Sequence, residues 1–490
     1  MTLVPIDHVW MRIECDEHVA RELHDYFAFD VQAAKFMPQF RKRHWSGKIH
    51  LFKLRGHLIY RGLLARVLEF AAQRQYPVTN HVPHVPDHTI ADAHARLERV
   101  VRKLPLTVRD YQIAAVRAML AENRGIVLSP TGSGKSLIIY LITCLLQQRT
   151  LIIVPTTGLV SQMAHDFTTY GFDGQHIQSI QAGRDKTITA PIVVSTWQSI
   201  YDMPASYFEQ FGTVIVDEVH LAKAKSLTGL LEKCGTIAHR FGFTGTLDDT
   251  QAHRLILEGL FGSVVRVTTT KQLMDEQHLT PLQVHMCVLK YPQSECRHIR
   301  RALYQDEVEY VVQHPLRLDI VARLTAKTTG NVLVLFNYVE KHGKPLYAAI
   351  RAQVSNRSVH FISGETDVED RERIRQTVIA SHDHIIVASY GTCSTGINIP
   401  NLDTLIFASP SKSKIRVLQS IGRGLRLADG KTHARLIDFV DDLRIGASVN
   451  HTFRHAEQRV QYYMSEHFPF TMHEMSLEDW FRCQQMPTDT

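Results

Sequence analysis

Apolar residues in this chain gather in short unbroken runs: Gly125-Ile126-Val127-Leu128, Leu151-Ile152-Ile153-Val154, Ile192-Val193-Val194-Ser195, Val214-Ile215-Val216 and Phe241-Gly242-Phe243-Thr244. Runs of this kind suit strands covered on both faces, and the stretches between them read as helices, so residues 104–285 are predicted to form a parallel sheet flanked by helices. The same rhythm restarts with Val332-Leu333-Val334-Leu335-Phe336, Ile385-Ile386-Val387-Ala388, Thr404-Leu405-Ile406-Phe407 and Leu436-Ile437. A second α/β lobe is therefore predicted over 286–450, and the aromatic tail 451–490 reads as a helical extension packed back on it. Ahead of the first lobe, residues 1–80 combine an alternating opening, His8 to Ile13, a helical stretch near Glu17 to Phe29 and strands between Ile49 and Tyr60. These predict a small α/β module. Residues 81–103, with Pro83, Pro86 and scattered histidines, read as a linker that makes the module separable. His81, His84 and His88 have no carboxylate or cysteine partners that would complete a metal site.

The first apolar run leads into Ser129-Pro130-Thr131-Gly132-Ser133-Gly134-Lys135-Ser136 and then into another apolar stretch, Leu137 to Leu141. A strand, a glycine loop and a helix in that order form a phosphate cradle. Gly132 and Gly134 let backbone N–H groups face an anion, Thr131 and Ser133 complete the loop, Lys135 reaches the outer phosphates and Ser136 can ligate magnesium. Ser129 stands where the usual pattern begins with glycine. A second signal follows the run Thr213 to Val216, which ends in Asp217-Glu218-Val219-His220. Carboxylates at the C-terminal end of a parallel strand face the ligand crevice, so Asp217 is the expected magnesium partner and Glu218 the residue that orients an attacking water. Alone, such a pair also reads as a helix cap with a first-turn acid; the upstream loop favours the catalytic reading.

Two further stretches bear on a nucleotide. Arg109-Asp110-Tyr111-Gln112 precedes the loop; a glutamine amide both donates and accepts, as reading an adenine edge requires, and Tyr111 can stack. Near the far end, Arg423 and Arg426 are spaced to share one helical face, from which both can meet developing phosphoryl charge. The same spacing equally fits a basic helix that binds nucleic-acid phosphate.

Net charge is +6 before counting 28 histidines, an excess that suits a polyanionic partner. Its distribution matters more. Between Asp30 and Glu69 there is no acid, while Lys35, Arg41, Lys42, Arg43, Lys48, Lys53, Arg55, Arg61 and Arg66 are interleaved with Phe36, Phe40, Trp45 and Phe52. Arg41, Lys42, Arg43 and Lys48 are candidate phosphate contacts, and Trp45, beside a Ser-Gly turn, is the ring expected to stack on a base, most of the others being core. The seven cysteines include no C-x-x-C pair, against a disulfide framework or a zinc cluster. No apolar run reaches membrane-spanning length, and a cytoplasmic location is expected.

The ordered set resembles a superfamily 2 helicase or translocase motor. Its motifs appear as Gln112, the loop at Lys135, Val154-Pro155-Thr156-Thr157-Gly158-Leu159, Ser195-Thr196-Trp197-Gln198, Asp217-Glu218-Val219-His220 and Thr244-Gly245-Thr246. They continue with Phe336-Asn337-Tyr338, Ser363-Gly364-Glu365, Ser394-Thr395-Gly396-Ile397-Asn398 and the arginine motif ending at Arg426. The resemblance implies two tandem RecA-like lobes using ATP and Mg2+. It also implies nucleotide contacts at Arg109, Gln112, Gly396 and Asn398, and nucleic-acid contacts at Pro155, Thr156, Thr196, Gln198, Ser363, Gly364, Ser394 and Thr395. Phe36-Met37-Pro38-Gln39-Phe40-Arg41 with Trp45-Ser46-Gly47-Lys48-Ile49 resembles the N-terminal domain of UvsW-type phage helicases. That family implies remodelling of branched or forked DNA: fork regression, branch migration, D-loop and R-loop unwinding, and annealing. Two alternatives stay open, the motor of a restriction or repair nuclease and a helicase for RNA–DNA hybrids. A decayed, purely binding protein is disfavoured, since Lys135, Asp217, Glu218, Arg423 and Arg426 are all present.

Overall fold

The computed structural model describes residues 1–480 except 32–33, 35–37, 43, 86, 184, 222–224, 248–250, 395–398 and 429–430. It divides into two compact units, Met1–Ser129 with Gly134–Thr268, and Thr269–Thr490, with which loop residues Pro130–Ser133 group. Within the described residues each unit is built on a seven-stranded sheet.

In the first unit the strand order is Val264–Arg266, Arg124–Leu128, His239–Thr244, Thr213–Val216, Thr150–Val154, Ile192–Thr196, Ile177–Ile180, and every pairing is parallel. The unbroken β-branched runs are the strands buried on both faces; Leu151, Ile152, Ile153 and Val154 are all fully buried. Helix Lys135–Leu146, apolar almost all round, is buried along nearly its whole length, as an interior helix must be.

The second unit orders its strands Ser358–Ile362, His384–Ser389, Val332–Phe336, Thr404–Phe407, Ala434–Asp442, Leu282–Lys290, Phe470–Ser476, again all parallel. The tail departs from expectation. After helix His451–Ser465 the chain adds an edge strand, Phe470–Ser476, beside Leu282–Lys290, so the extension completes the sheet as well as packing on it. The helix is anchored from within: the guanidinium of Arg459, 1% exposed, donates twice to the Asp438 carboxylate at 2.8 Å and once to the Ser411 carbonyl at 3.0 Å. Tyr463 donates to the same carboxylate.

The N-terminal module is the α/β fold expected. A sheet ordered Leu58–Tyr60, Trp10–Glu14, Thr2–Pro5, Thr79–Asn80 is joined by the pair Ala28–Asp30 and Lys48–His50 and by helices Glu17–Tyr26 and Leu64–Gln73. It is not a separable appendage. Its Leu3, Met11, Phe27, Phe52, Ile59 and Phe70 belong to one continuous apolar core with Leu230, Leu231, Leu257, Leu260 and Phe261 of the first lobe. Gly62 packs so closely on that lobe that a Cβ there would lie 2.2 Å from the Glu258 carbonyl oxygen. Polar ties surround the contact: Tyr60 donates to Glu232 at 2.5 Å, Arg66 to Glu258 at 3.1 Å, Arg124 to the His8 carbonyl at 2.7 Å, and His8 N–H to the Gly235 carbonyl at 2.9 Å. Beneath it Arg240, fully buried, donates to the carbonyls of Leu231, Cys234 and Leu260, at the C-terminal ends of two helices where the backbone presents unpaired acceptors. The expected linker is likewise structured. Residues Asp87–Val101 form a helix whose Ala93 and Leu97 are buried in the first lobe's second core, because its apolar spacing outweighs the nearby prolines.

Candidate active site and nucleic-acid interface

The phosphate loop turns between strand Arg124–Leu128 and helix Lys135–Leu146, with Gly132 at φ 85° and Gly134 at φ 78°, a conformation that side chains with a Cβ rarely adopt. Gly134 has a second reason for lacking a side chain: a Cβ would lie 2.5 Å from the Gln112 amide nitrogen. Gln112 is 3% exposed and its amide oxygen accepts from the Arg109 backbone N–H at 3.0 Å. The glutamine thus braces the helix start against the loop, while Arg109 donates to the Tyr111 hydroxyl at 2.9 Å. The Lys135 ammonium donates to the Ser129 carbonyl at 3.3 Å, and the Ser133 hydroxyl to the Pro130 carbonyl at 2.7 Å. Ser136 shares a hydrogen bond of 2.9 Å with the Tyr170 hydroxyl, a partner nothing in the sequence signalled.

Asp217 and Glu218 follow strand Thr213–Val216, two strands from the loop's own strand in the sheet. Burial, then the charge of Glu218, push the Asp217 carboxyl up to about 7, against the pull of nearby Lys135. An acidic pair crowded in this way supplies hard oxygen donors of the kind a small divalent cation takes. Glu218 sits at φ 51°, a left-handed backbone that costs a non-glycine residue energy and that clusters at functional turns. Its carboxylate lies 3.2 Å from Nδ1 of His220, which is itself 2.9 Å from the Thr244 hydroxyl, while that hydroxyl donates to the Thr246 carbonyl at 2.8 Å. His253 Nε2 meets the His220 carbonyl at 3.0 Å. One buried imidazole thus joins the carboxylate motif to Thr244-Gly245-Thr246. The motif order names both stretches; only folding shows that His220 spans them.

The lobe-one nucleic-acid candidates converge on the C-terminal ends of two paired strands, Thr150–Val154 and Ile192–Thr196. Pro155 is buried and Thr156 caps helix Thr157–Thr169 by accepting from Leu159 N–H. Thr196 is 4% exposed, its hydroxyl 2.9 Å from that of Ser199, whereas Gln198 is open to solvent. Thr196 therefore shapes the loop, and Gln198 is the one presented.

In the second unit Ser363 is buried in a turn after strand Ser358–Ile362, its hydroxyl accepting from Glu365 N–H, and Gly364 is exposed. The backbone of Ser394 ends helix Tyr390–Ser394; its side chain, and Thr395, Gly396 and Asn398, lie outside the described residues. Arg423 lies in helix Lys414–Gly424, but that helix stops at Gly424 and Arg426 follows it in the next turn. The expected shared helical face is thus corrected, glycines at 422 and 424 being poor continuers. Lys431 holds the turn in place, its ammonium donating to the Gly424 carbonyl at 2.6 Å and the Arg426 carbonyl at 3.0 Å. Such a cation satisfies carbonyls left unpaired at a helix C-terminus.

In the N-terminal module Arg41, Lys42 and Lys48 are exposed, and Arg43 lies outside the described residues. Trp45, half-buried, is fixed by donating its indole N–H to the Lys48 carbonyl at 2.7 Å, while Phe52 is core. The rest of the basic stretch divides by use: Lys53 sits 3.8 Å over the Trp10 ring, and Arg61 and Arg66 turn inward, Arg66 toward the first lobe.

Three family models match: "DNA helicase UvsW, N-terminal" over residues 2–80, "Type III restriction enzyme, res subunit" over 105–249 and "Helicase conserved C-terminal domain" over 316–428. The ATP-dependent DNA helicase uvsW of Enterobacteria phage T4 is 32% identical over 498 residues, spanning 96% of this chain and 98% of that protein. The crystal structure of T4 UvsW superposes with a TM-score of 0.51 at 31% identity, covering 97% of this chain and 99% of that one. A DNA 3'-5' translocase, XPB2 of Sulfurisphaera tokodaii, is 24% identical over 385 residues, 70% of this chain and 85% of that protein. No helix among the described residues is long and apolar enough to cross a membrane. By its N-terminal module, its two parallel-sheet lobes and its likeness along nearly the whole length, the chain belongs to the UvsW family of ATP-dependent DNA helicases.

Proposed function

We propose that the protein couples ATP hydrolysis to the remodelling of branched DNA, such as forks and four-way junctions. The observation that carries this reading is the fusion of a basic module to the first lobe through a common core, so that a step of that lobe moves the module with it. Exposed Arg41, Lys42 and Lys48 then grip phosphate while Trp45, held in its turn, offers a ring to an unpaired base.

In the nucleotide site Lys135 neutralises the outer phosphates, and Ser136 and Asp217 would hold magnesium, whose bound charge would offset that building up on the phosphates. Glu218 orients the attacking water, with His220 fixing its carboxylate and connecting it to Thr244. Arg426 acts on charge that develops during transfer, so Arg426→Ala should lower kcat roughly 10² to 10³-fold with little change in nucleotide affinity. Steady-state hydrolysis beside nucleotide titration checks this; an unchanged kcat with weaker DNA binding would move Arg426 to the nucleic-acid surface.

The branched-DNA reading is tested by neutralising Arg41, Lys42 and Arg43 together. The variant should keep ATPase stimulation by plain single strands and lose junction processing, and its junction affinity should depend less steeply on salt, by up to about three phosphate contacts. Equal junction processing by variant and wild type across a salt series would refute the assignment.

A further inference from the structure

Between the helices Gln293–Ile299 and Tyr304–Gln313 the chain forms a short projecting turn, Arg300 to Leu303. Its backbone is fixed: Ala302 N–H donates to the Ile299 carbonyl at 2.9 Å, and Leu303, extended at the start of the second helix, receives the Glu307 N–H at 3.0 Å. Ile299 anchors the base of the turn at 8% exposure, while Leu303 stands 74% exposed, an extreme value for a leucine on a rigid backbone. Isolated exposed leucines are ordinary, but this one has charged and aromatic company. Arg300 and Arg301 beside it are exposed, and neither makes a salt bridge among the described residues. Next along the helix Tyr304 lies under the Lys412 ammonium, 5.9 Å from its ring. The helix that Tyr304 opens is tied to the segment following the Phe336-Asn337-Tyr338 motif, the Lys341 ammonium donating to Glu309 at 2.6 Å. Of the two acids in the first turn of that helix, Glu307 is buried and occupied by the backbone of His451 and Thr452, while Asp306 is exposed, so the turn carries two cations against one exposed acid.

We propose that this turn is a DNA-contacting element of the second lobe that meets the strand junction, Arg300 and Arg301 holding phosphates and Leu303 pressing on the face of the base being unpaired. It rests on the helicase reading above and adds a site outside the motif set. Cationic side chains spaced around an apolar tip match a DNA end, where charge lines the backbone and an unstacked base offers an apolar face.

The full-length protein tests this with a fluorescent fork in a salt series. Arg300→Gln with Arg301→Gln should weaken fork affinity roughly tenfold and lower the salt slope by about 1.8, the value for two lost phosphate contacts. Leu303→Ser should leave DNA-stimulated ATPase near wild type while cutting base pairs separated per ATP several-fold. Basal ATPase without DNA reports that each variant is folded. Wild-type fork affinity and salt slope in the arginine variant, with wild-type separation per ATP in Leu303→Ser, would overturn the proposal while leaving the helicase reading intact. A wild-type protein that neither binds forks nor hydrolyses ATP in their presence would instead remove both.

Discussion

Lys135→Ala is expected to abolish useful ATP turnover, lowering kcat roughly 10² to 10³-fold, while DNA affinity measured without nucleotide stays close to wild type. The ammonium stands on the Ser129 carbonyl at 3.3 Å at the mouth of the loop, next to Asp217, and touches none of the surfaces proposed to hold DNA. Its charge is needed where phosphoryl charge moves, so its loss raises the barrier more than it weakens binding. Hydrolysis assays paired with DNA anisotropy check this. Turnover at the wild-type rate would show that the loop is not the catalytic nucleotide site.

The second large effect is on stability. The proline-rich stretch in the sequence suggests that removing residues 1–80 leaves a folded motor, and the structure predicts the opposite. Truncation would expose Leu257, Leu260 and Phe261 of the first lobe and strip partners from Glu232, Glu258 and Arg124. Exposing a buried Leu or Phe costs about 1.5–3 kcal/mol each, and a lost hydrogen bond about 1 kcal/mol, against a typical domain stability of about 5–15 kcal/mol. The 81–490 fragment should therefore aggregate or melt far below the full chain. Gly62→Val in the intact protein should reproduce part of the loss, because the Glu258 carbonyl leaves no room for the added carbons. Thermal melts of both report it; a truncated protein melting with the full-length one would show that the shared core is dispensable.

The sequence makes legible what depends on local pattern. Buried parallel strands need unbroken apolar runs, and a phosphate loop needs glycines at fixed offsets, so Gly132, Gly134, Lys135, Asp217 and Glu218 are readable along with both lobes. What escapes depends on distant partners. Arg61 and Arg66 read as part of a DNA-binding stretch because their neighbours are basic, yet Arg66 meets Glu258, 192 residues away. Gln112 reads as a base reader, and that its amide also lies against Gly134 is visible only in the fold. The imidazole of His220 gains meaning only when Thr244 arrives from the adjacent strand. Phe470–Ser476 becomes a strand because Leu282–Lys290 offers an open edge, which aromatic content does not foretell.

The most direct test of the central claim follows ATP hydrolysis and strand displacement together on a four-way junction, with full-length protein and the Lys135→Ala variant side by side. The account predicts hydrolysis stimulated by the junction, displaced strands recovered uncut, and neither activity in the variant. Hydrolysis no faster with the junction than without it, cleaved strands, or displacement that persists in Lys135→Ala would contradict it.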